Sequence, residues 1–106
     1  MKIALLGYGK MGKLIGELAL ERGHHIVAKI DQDNQELRNA LDPKTIDVAI
    51  EFSQPEAAID NIRWAISQGI PVISGTTGWL QDYDKMVQLC NEKNSAFISS
   101  SNFSLG

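Results

Sequence analysis

The stretch KIALLGYGKMG, residues 2–12, decides the fold that this sequence predicts. It opens with a short apolar run without polar alternation, which is typical of a strand buried on both faces. The run leads directly into G-x-G-x-x-G at residues 7–12. Gly23 suits the left-handed position that follows a helix. Between the glycine motif and Gly23, apolar residues recur at i, i+3, i+4 and i+7, the pattern of an amphipathic helix. These residues are Met11, Leu14, Ile15 and Leu18.

The glycines of this motif suit a dinucleotide-binding turn. Gly7 permits a tight turn out of the strand, Gly9 permits close approach of a pyrophosphate, and Gly12 permits close packing of helix on strand. The N–H groups and the dipole at the start of the helix favour bound phosphates. Asp31 ends a second predicted strand, residues 25–30, and follows Gly12 by 19 residues (31 − 12), close to the spacing of a ribose-binding acid. The pattern predicts a dinucleotide-binding βαβ unit; the alternative is a glycine-rich turn without a ligand.

Composition places the chain among single globular domains. It has 106 residues, of which 43% are hydrophobic and 22% are charged. A net charge of −3 and a pI near 5.2 argue against a nucleic-acid-binding surface. No apolar run approaches the roughly 18 residues of a membrane-spanning helix, and no signal-peptide pattern precedes the first strand. A single cysteine, Cys90, excludes an internal disulfide, so we expect a cytoplasmic protein.

Strands and helices alternate along the rest of the chain. We predict a short helix that ends near Leu41, and a longer one that begins at a capping box formed by Ser53 and Glu56. The remaining predicted strands are residues 47–52, 71–74 and 95–99, and the last predicted helix is about 80–93. Short connections with strict alternation predict an α/β fold of the Rossmann type, a doubly wound parallel sheet of five strands with helices on both faces.

Such a sheet binds its ligand at the carboxyl ends of its strands. Thr76 and Thr77 follow the fourth strand and offer hydroxyl and N–H groups to a nicotinamide carboxamide or a substrate oxyanion. Alternatively, they form a turn that bonds only to its own backbone. The segments predicted to meet at this edge are residues 7–12, 31, 52–53, 75–78 and 102–103.

Other side chains near the sheet have weaker assignments. Phe52 and Phe103 either stack near a nicotinamide ring or belong to the core. Glu51 has one possible functional role, which is to orient a cofactor hydroxyl. His24 and His25 lie at the opposite, amino edge and are not catalytic candidates. The sequence holds no Ser/His/Asp or Cys/His arrangement and no metal cluster, so we predict no catalytic residue and no metal site in this chain.

Four motifs occur together in one order: GYGKMG at 7–12, EFSQPE at 51–56, GTTG at 75–78 and SNFSLG at 101–106. This set resembles the N-terminal domain of the 4-hydroxy-tetrahydrodipicolinate reductase (dihydrodipicolinate reductase) family, and the resemblance covers essentially the whole chain. The GTTG loop combined with the Asn-Phe-Ser end is far more specific than the glycine motif. The resemblance implies hydride transfer from NADH or NADPH to the cyclic intermediate of diaminopimelate and lysine biosynthesis.

The resemblance also implies which residues bind the cofactor. Those of the glycine loop would hold the pyrophosphate and Asp31 the adenosine ribose. Phe52 and Ser53 would lie along the cofactor, and Thr77 would also meet the substrate. All these residues lie at the predicted carboxyl edge, and the implied set is Gly7, Gly9, Lys10, Met11, Gly12, Asp31, Phe52, Ser53, Gly75, Thr77, Asn102 and Phe103.

Two features depart from the family pattern. Many members have one more residue in the glycine loop than this chain. The chain also ends at Gly106, before the C-terminal domain in which the family carries its substrate-binding sheet, its catalytic histidine-and-lysine motif and its tetramer interface. We therefore expect residues 1–106 to be the NAD(P)-binding domain of a longer, homotetrameric reductase, and to be inactive alone.

Two other functions stay open from the sequence. One is the N-terminal domain of a different NAD(P)-dependent oxidoreductase, and the other is a stand-alone nucleotide-sensing domain, in which the GTTG and Asn-Phe-Ser loops would have no purpose.

For the cofactor, Asp31 can accept hydrogen bonds from a 2′-hydroxyl and repels a 2′-phosphate. Gln32 offers no guanidinium to that phosphate, so we expect NADH to be favoured over NADPH. We expect the chain to act with a small-molecule substrate and to bind neither nucleic acid nor a membrane.

Overall fold

The computed structural model describes residues 1–76, 83–93 and 97–99, and within these ranges strands alternate with helices. The strands are β1 (Lys2–Leu6), β2 (His25–Ile30), β3 (Val48–Glu51), β4 (Val72–Ser74) and β5 (Phe97–Ser99). The α-helices are α1 (Lys10–Glu21), α2 (Glu36–Asn39), α3 (Pro55–Ser67) and α4 (Tyr83–Glu92). Short 3₁₀ turns at Gln32–Asn34 and Pro43–Thr45 flank α2. None of these helices combines the length and the apolar character needed to cross a membrane.

The five described strands form one parallel sheet in the order β2-β1-β3-β4-β5. From β1 the chain first moves outward to β2, and it then returns past β1 to place β3 on the other side. The direction of winding therefore reverses between β1 and β3, and a crevice at such a reversal is where open α/β sheets bind ligands. The predicted doubly wound parallel sheet of five strands is confirmed.

Alternation along β1 divides the core between the two faces of the sheet. Ala4 and Leu6 contribute to the larger cluster, which contains the buried residues of α3 and α4, among them Ile62, Ile66 and Met86. Ile3 and Leu5 point to the opposite face, where they pack with the buried Ala19 of α1. Because both faces of β1 are covered, its unbroken apolar run is explained.

Helix α1 forms where the sequence predicts it, but of its predicted apolar stripe only Ile15 packs against the core, while the other three residues are exposed. Met11, Leu14 and Leu18 are 49%, 50% and 45% exposed. The residues that α1 buries are small, namely Gly12, Gly16 and Ala19. A Cβ at Gly16 would lie 3.4 Å from the Leu5 side chain, so the helix axis sits close to the strand. Close approach to β1 therefore decides which face turns inward, and small residues permit it.

The predicted capping box of α3 is wrong. The residue before the first turn is Gln54, which makes no side-chain capping bond, and Pro55 occupies the first turn. Ser53 instead donates its hydroxyl to the Glu51 carboxylate. The carboxylate at the end of β3, two residues before Ser53, therefore binds the side chain that the capping pattern assigns to the helix start.

Backbone bonds carry the sheet ladder one residue beyond three strand ends. The Gly7 N–H donates to Ile30 O at 2.6 Å, the Phe52 N–H to Leu6 O at 2.9 Å, and the Gly75 N–H to Glu51 O at 2.7 Å. The loops that follow β1, β3 and β4 therefore start side by side at the carboxyl edge of the sheet.

Candidate functional site

A cavity of about 410 Å³ lies at this carboxyl edge. Its lining brings together the glycine loop, the end of β2, the loop after β3, the first turns of α3 and the loop after β4. These segments are close in space because the parallel strands that precede them end at the same edge. The lining residues are Gly7, Tyr8, Gly9, Lys10, Met11, Ile30, Asp31, Gln35, Phe52, Ser53, Gln54, Pro55, Ala57, Asn61, Gly75 and Thr76.

The glycines of the loop are required for different reasons. Gly7 has φ +98°, and a Cβ there would overlap the Phe52 carbonyl. A Cβ at Gly12 would lie 2.5 Å from Gly7 O, closer than real side chains approach. Around Gly9, by contrast, no atom lies within 4 Å of such a Cβ, although the residue lines the cavity. The fold therefore requires glycine at residues 7 and 12. At Gly9 it does not, and the open space beside this residue is available to a ligand in the cavity.

The N-terminus of α1 opens into this cavity. Gly9 caps the helix without a side-chain bond, and the first turn carries no acidic residue. Lys10 and Met11 begin the helix, are exposed and line the cavity. The first N–H groups of a helix lack partners within the helix, and the dipole makes this end positive. This end of the cavity suits an anionic group such as a pyrophosphate.

Asp31 directly follows Ile30, the last residue of β2, and lines the same cavity as the glycine loop. Its backbone N–H donates to Asn34 Oδ1 at 2.6 Å, and Asn34 Nδ2 in turn donates to Lys29 O at 3.1 Å. Asn34 thus fixes the path of the chain as it leaves β2. The Asp31 residue is exposed and lines the cavity together with Gln35, so its carboxylate is placed to accept hydrogen bonds from a ligand.

Two lysines stand near the aromatic ring of the glycine loop. Lys29 Nζ is 5.0 Å, and Lys13 Nζ 5.9 Å, from the centroid of the Tyr8 ring. Both distances are within the range of a cation–π interaction. Lys29 therefore turns toward the face of the sheet that carries α1.

Phe52 and Gly75 form the floor of the opposite half of the cavity. A Cβ at Gly75 would overlap the Phe52 ring, so ring and backbone are in close contact. Phe52 is partly buried, and both residues line the cavity. Phe52 thus packs against the loop after β4 and lines the cavity, and its stacking on a nicotinamide ring stays a prediction.

Glu51 is fully buried at the end of β3, with 0% of its surface exposed. Its Oε1 accepts a bond from Ser74 Oγ at 2.7 Å, and its Oε2 accepts from Thr76 Oγ1 at 2.7 Å and from Ser53 Oγ. Glu51 does not line the cavity. The structure therefore does not support a direct bond from Glu51 to a cofactor hydroxyl, and it places the carboxylate beneath residues that face the cavity.

Asn61 of α3 is a lining residue that sequence reasoning missed. It is 3% exposed, its Oδ1 accepts from Arg38 Nη1 at 2.6 Å, and its Nδ2 donates to Ser53 Oγ at 3.4 Å. One signal was present, because Asn61 is a polar residue beside Ile62 on the otherwise apolar buried face of α3. A polar residue buried in this way needs partners, and here they are at the cavity wall.

Some predicted residues lie outside the described ranges or away from the site. Thr77, Asn102 and Phe103 are outside the described residues. His24 and His25 lie at the amino edge, where His24 Nδ1 is 3.1 Å from the N-terminal amine, so they are remote from the cavity. Within the described ranges, no group of three or more His, Cys, Asp or Glu side chains could hold a metal ion.

Comparison with solved structures shows the same fold in dehydrogenases. A putative homoserine dehydrogenase from Archaeoglobus fulgidus superposes with a TM-score of 0.77 at 18% identity, over 93% of this chain and 42% of that one. A probable dehydrogenase from Thermotoga maritima gives 0.72 at 16% identity, over 93% and 35%. A hyperthermophilic archaeal homoserine dehydrogenase in complex with NADPH gives 0.68 at 16% identity, over 94% and 44%. At these identities the likeness concerns the fold alone.

Comparison of sequences is more specific. The family model for the N-terminus of dihydrodipicolinate reductase matches residues 1–103. The 4-hydroxy-tetrahydrodipicolinate reductase of Christiangramia forsetii is 53% identical over 106 residues, which are 100% of this chain and 44% of that protein. The enzyme of the same name from Streptococcus uberis is 33% identical over 119 residues, covering 100% and 47%. The chain thus spans less than half the length of these relatives, and it belongs to the dihydrodipicolinate reductase family, whose N-terminal part it matches.

Proposed function

We propose that this chain is the cofactor-binding domain of a 4-hydroxy-tetrahydrodipicolinate reductase, which reduces the cyclic intermediate of diaminopimelate and lysine biosynthesis. The observation that carries the proposal is the open space beside Gly9, at the N-terminus of α1, in the same cavity that Asp31 lines. An anion-binding helix end and a ribose-binding acid that line one cavity, after the adjacent strands β1 and β2, fit the two ends of an ADP-ribose unit. Membership of the dihydrodipicolinate reductase family supports the proposal that the bound dinucleotide serves a reductase reaction.

We infer the orientation of the cofactor in the crevice from the strand order. With the pyrophosphate over the glycine loop after β1 and the adenosine at Asp31 after β2, the other half extends over the loops after β3 and β4. Those loops supply Phe52, Ser53 and Gly75 to the cavity lining. The bound nicotinamide would supply the hydride, and these residues would hold its ring at a fixed position. We propose that Thr77, Asn102 and Phe103 complete this half of the site.

We further propose that NADH is the favoured cofactor. Asp31 is exposed at the adenosine end, where its charge repels a 2′-phosphate. Lys29 and Lys13 stand close to the Tyr8 ring and do not line the cavity. The Asp31 carboxylate therefore favours a cofactor whose adenosine ribose carries a 2′-hydroxyl over one that carries a 2′-phosphate.

Substrate reduction also needs a proton donor beside the hydride acceptor. The described lining residues include neither a histidine nor a cysteine, and Lys10 lies at the pyrophosphate end. We propose that the acid and most substrate contacts come from a second domain, in a cytoplasmic homotetramer. The roles of residues 1–106 are to bind the dinucleotide, to orient its nicotinamide and to present one face of it.

Calorimetric titration of the chain with NADH, NADPH and ADP-ribose tests this function. We expect NADH to bind with a one-to-one stoichiometry, and ADP-ribose to bind more weakly because it lacks the nicotinamide contacts. Inorganic phosphate at the same ionic strength is the control for simple anion binding. Failure of every dinucleotide to bind a chain that circular dichroism shows to be folded would reject the proposal.

A further inference from the structure

The Glu51 carboxylate is buried without a cation among its described partners. Its three described partners are hydroxyls, and the described ion pair of the chain, Arg63 with Asp60, is exposed and far along α3. Removing a carboxylate from water is strongly unfavourable unless hydrogen bonds replace its hydration. An apolar residue at the end of a buried strand would avoid this cost. The arrangement therefore calls for a role that an apolar residue cannot perform.

The three hydroxyls come from two chain segments that face the cofactor cavity. Ser53 follows β3, while Ser74 ends β4 and Thr76 follows it. A further bond joins the two segments directly, because the Ser53 N–H donates to Thr76 Oγ1 at 2.8 Å. Ser53 and Thr76 line the cavity, whereas Glu51 does not. Glu51 thus holds two cavity-lining segments together through hydrogen bonds, from a position outside the lining.

The carboxylate also constrains the direction of these hydroxyl groups. A carboxylate without a proton can only accept hydrogen bonds, so a hydroxyl bonded to it points its single hydrogen at Glu51. The other described acceptors within reach, Ser53 O at 3.1 Å from Thr76 Oγ1 and Gln54 O at 3.4 Å from Ser53 Oγ, are farther away than Glu51. With that hydrogen committed, the oxygen atoms of Ser53 and Thr76 can act toward any other group only as acceptors. Asn61 Nδ2 already uses the Ser53 oxygen in this sense, at 3.4 Å.

We propose that Glu51 is a positioning residue that makes this wall of the nicotinamide half an acceptor surface, selective for the amino group of the nicotinamide carboxamide. The inference rests on the proposed function, because it uses the orientation of the cofactor given there. An amide –NH₂ can donate to an acceptor wall, whereas a carboxylate in the same place cannot and is repelled by Glu51. The wall therefore discriminates between a nicotinamide dinucleotide and its deamido form.

The test is the ratio of affinities for NADH and reduced deamido-NAD, measured by calorimetry on the chain and on Glu51→Gln. For the wild-type chain we expect NADH to bind at least about tenfold more tightly than the deamido form. In Glu51→Gln the neutral amide lets the hydroxyls reorient, so the ratio should fall to within about threefold. ADP-ribose, which lacks the nicotinamide, should bind both proteins with affinities within about twofold. Glu21→Gln, the same change at an exposed position of α1, should leave the ratio as in the wild type.

The outcomes separate this inference from the proposed function. If the wild-type chain binds no dinucleotide, the proposed function fails. If it binds NADH but Glu51→Gln keeps the wild-type ratio, or loses ADP-ribose binding to the same extent as NADH, the positioning role of Glu51 is rejected. Should Glu51→Gln not fold, Ser53→Ala gives the decision, because it removes one acceptor oxygen and leaves the carboxylate with two donors. The ratio should then fall as well, and an unchanged ratio would overturn the proposal.

Discussion

The ring of Phe52 lies against the backbone of Gly75, so closely that a Cβ at residue 75 would overlap it. The contact joins the loop after β3 to the loop after β4 on the floor of the cavity. Since the ring fills the space that a side chain would need, residue 75 must be glycine as long as residue 52 is aromatic.

Replacing Gly75 by alanine should displace the Phe52 ring and lower the free energy of unfolding by about 1–3 kcal/mol, the usual range for overpacking. Thermal and urea denaturation provide the measurement. The double variant Phe52→Leu/Gly75→Ala should lose less stability than the sum of the single variants, because the smaller side chain makes room. Additive losses would show that the clash is relieved elsewhere.

Replacing Gly9 by alanine should weaken NADH binding at least about tenfold, because the new methyl group projects into space that the pyrophosphate needs. The fold has room for it, so the free energy of unfolding should change by less than about 1 kcal/mol.

Gly23→Ala is the matched control for this variant. Gly23 has φ +84° at the far end of α1, so alanine there should cost about 1–2 kcal/mol of stability and leave NADH affinity unchanged. If Gly9→Ala binds NADH as the wild type does, the pyrophosphate does not lie over this loop.

Neutralising Asp31 should change cofactor preference. We expect the wild-type chain to bind NADH more tightly than NADPH, and Asp31→Asn to shift the affinity ratio toward NADPH by about tenfold, since the repulsion of the 2′-phosphate is removed. Asp33→Asn, at an exposed position two residues away, is the control. Tighter binding of NADPH by the wild type would contradict the assignment, and loss of that binding in Lys29→Met would identify the rescuing cation.

Residues 1–106 alone should bind NADH without substrate-dependent oxidation of it. Fusing them to the remaining residues of the Christiangramia forsetii enzyme, which is 53% identical over the shared part, should give turnover. The turnover is measured as the loss of absorbance of the reduced nicotinamide. The same fusion carrying Gly9→Ala should require more NADH for half-maximal rate. Turnover at an enzyme-like rate by residues 1–106 alone would refute the assignment of proton donation to another domain.

Much of the fold follows from short-range features of the sequence. The unbroken apolar run of β1 and the glycines after it require a buried strand and a tight turn, whatever the rest of the chain does. Gly23, with φ +84°, follows α1 as its position predicts, and Gly69, with φ +75°, follows α3 in the same way. These features are local, so the sequence displays them directly.

The errors arise where distant contacts compete with local patterns. The periodicity of α1 identifies an apolar stripe, but helix–strand distance favours the face of Gly12, Gly16 and Ala19. Ser53 has the pattern of a helix cap, yet its hydroxyl bonds to Glu51, which also holds side chains of β4 and of the loop beyond it. Glu51 is only two residues before Ser53, but its bonds to Ser74 and Thr76 depend on the pairing of β3 with β4, which no local pattern around Ser53 indicates.

The contact between Gly7 and the Phe52 carbonyl has a consequence for the energetics of binding. Because the two loops touch through backbone atoms, neither can shift without the other, and the ladder bonds of both to neighbouring strands oppose such a shift. The centre of the crevice is therefore preorganised, and a ligand that settles there does not bear the entropy of ordering these loops. Association at this part of the site should be a single fast step, with slower adjustments confined to the outer ends of the cofactor.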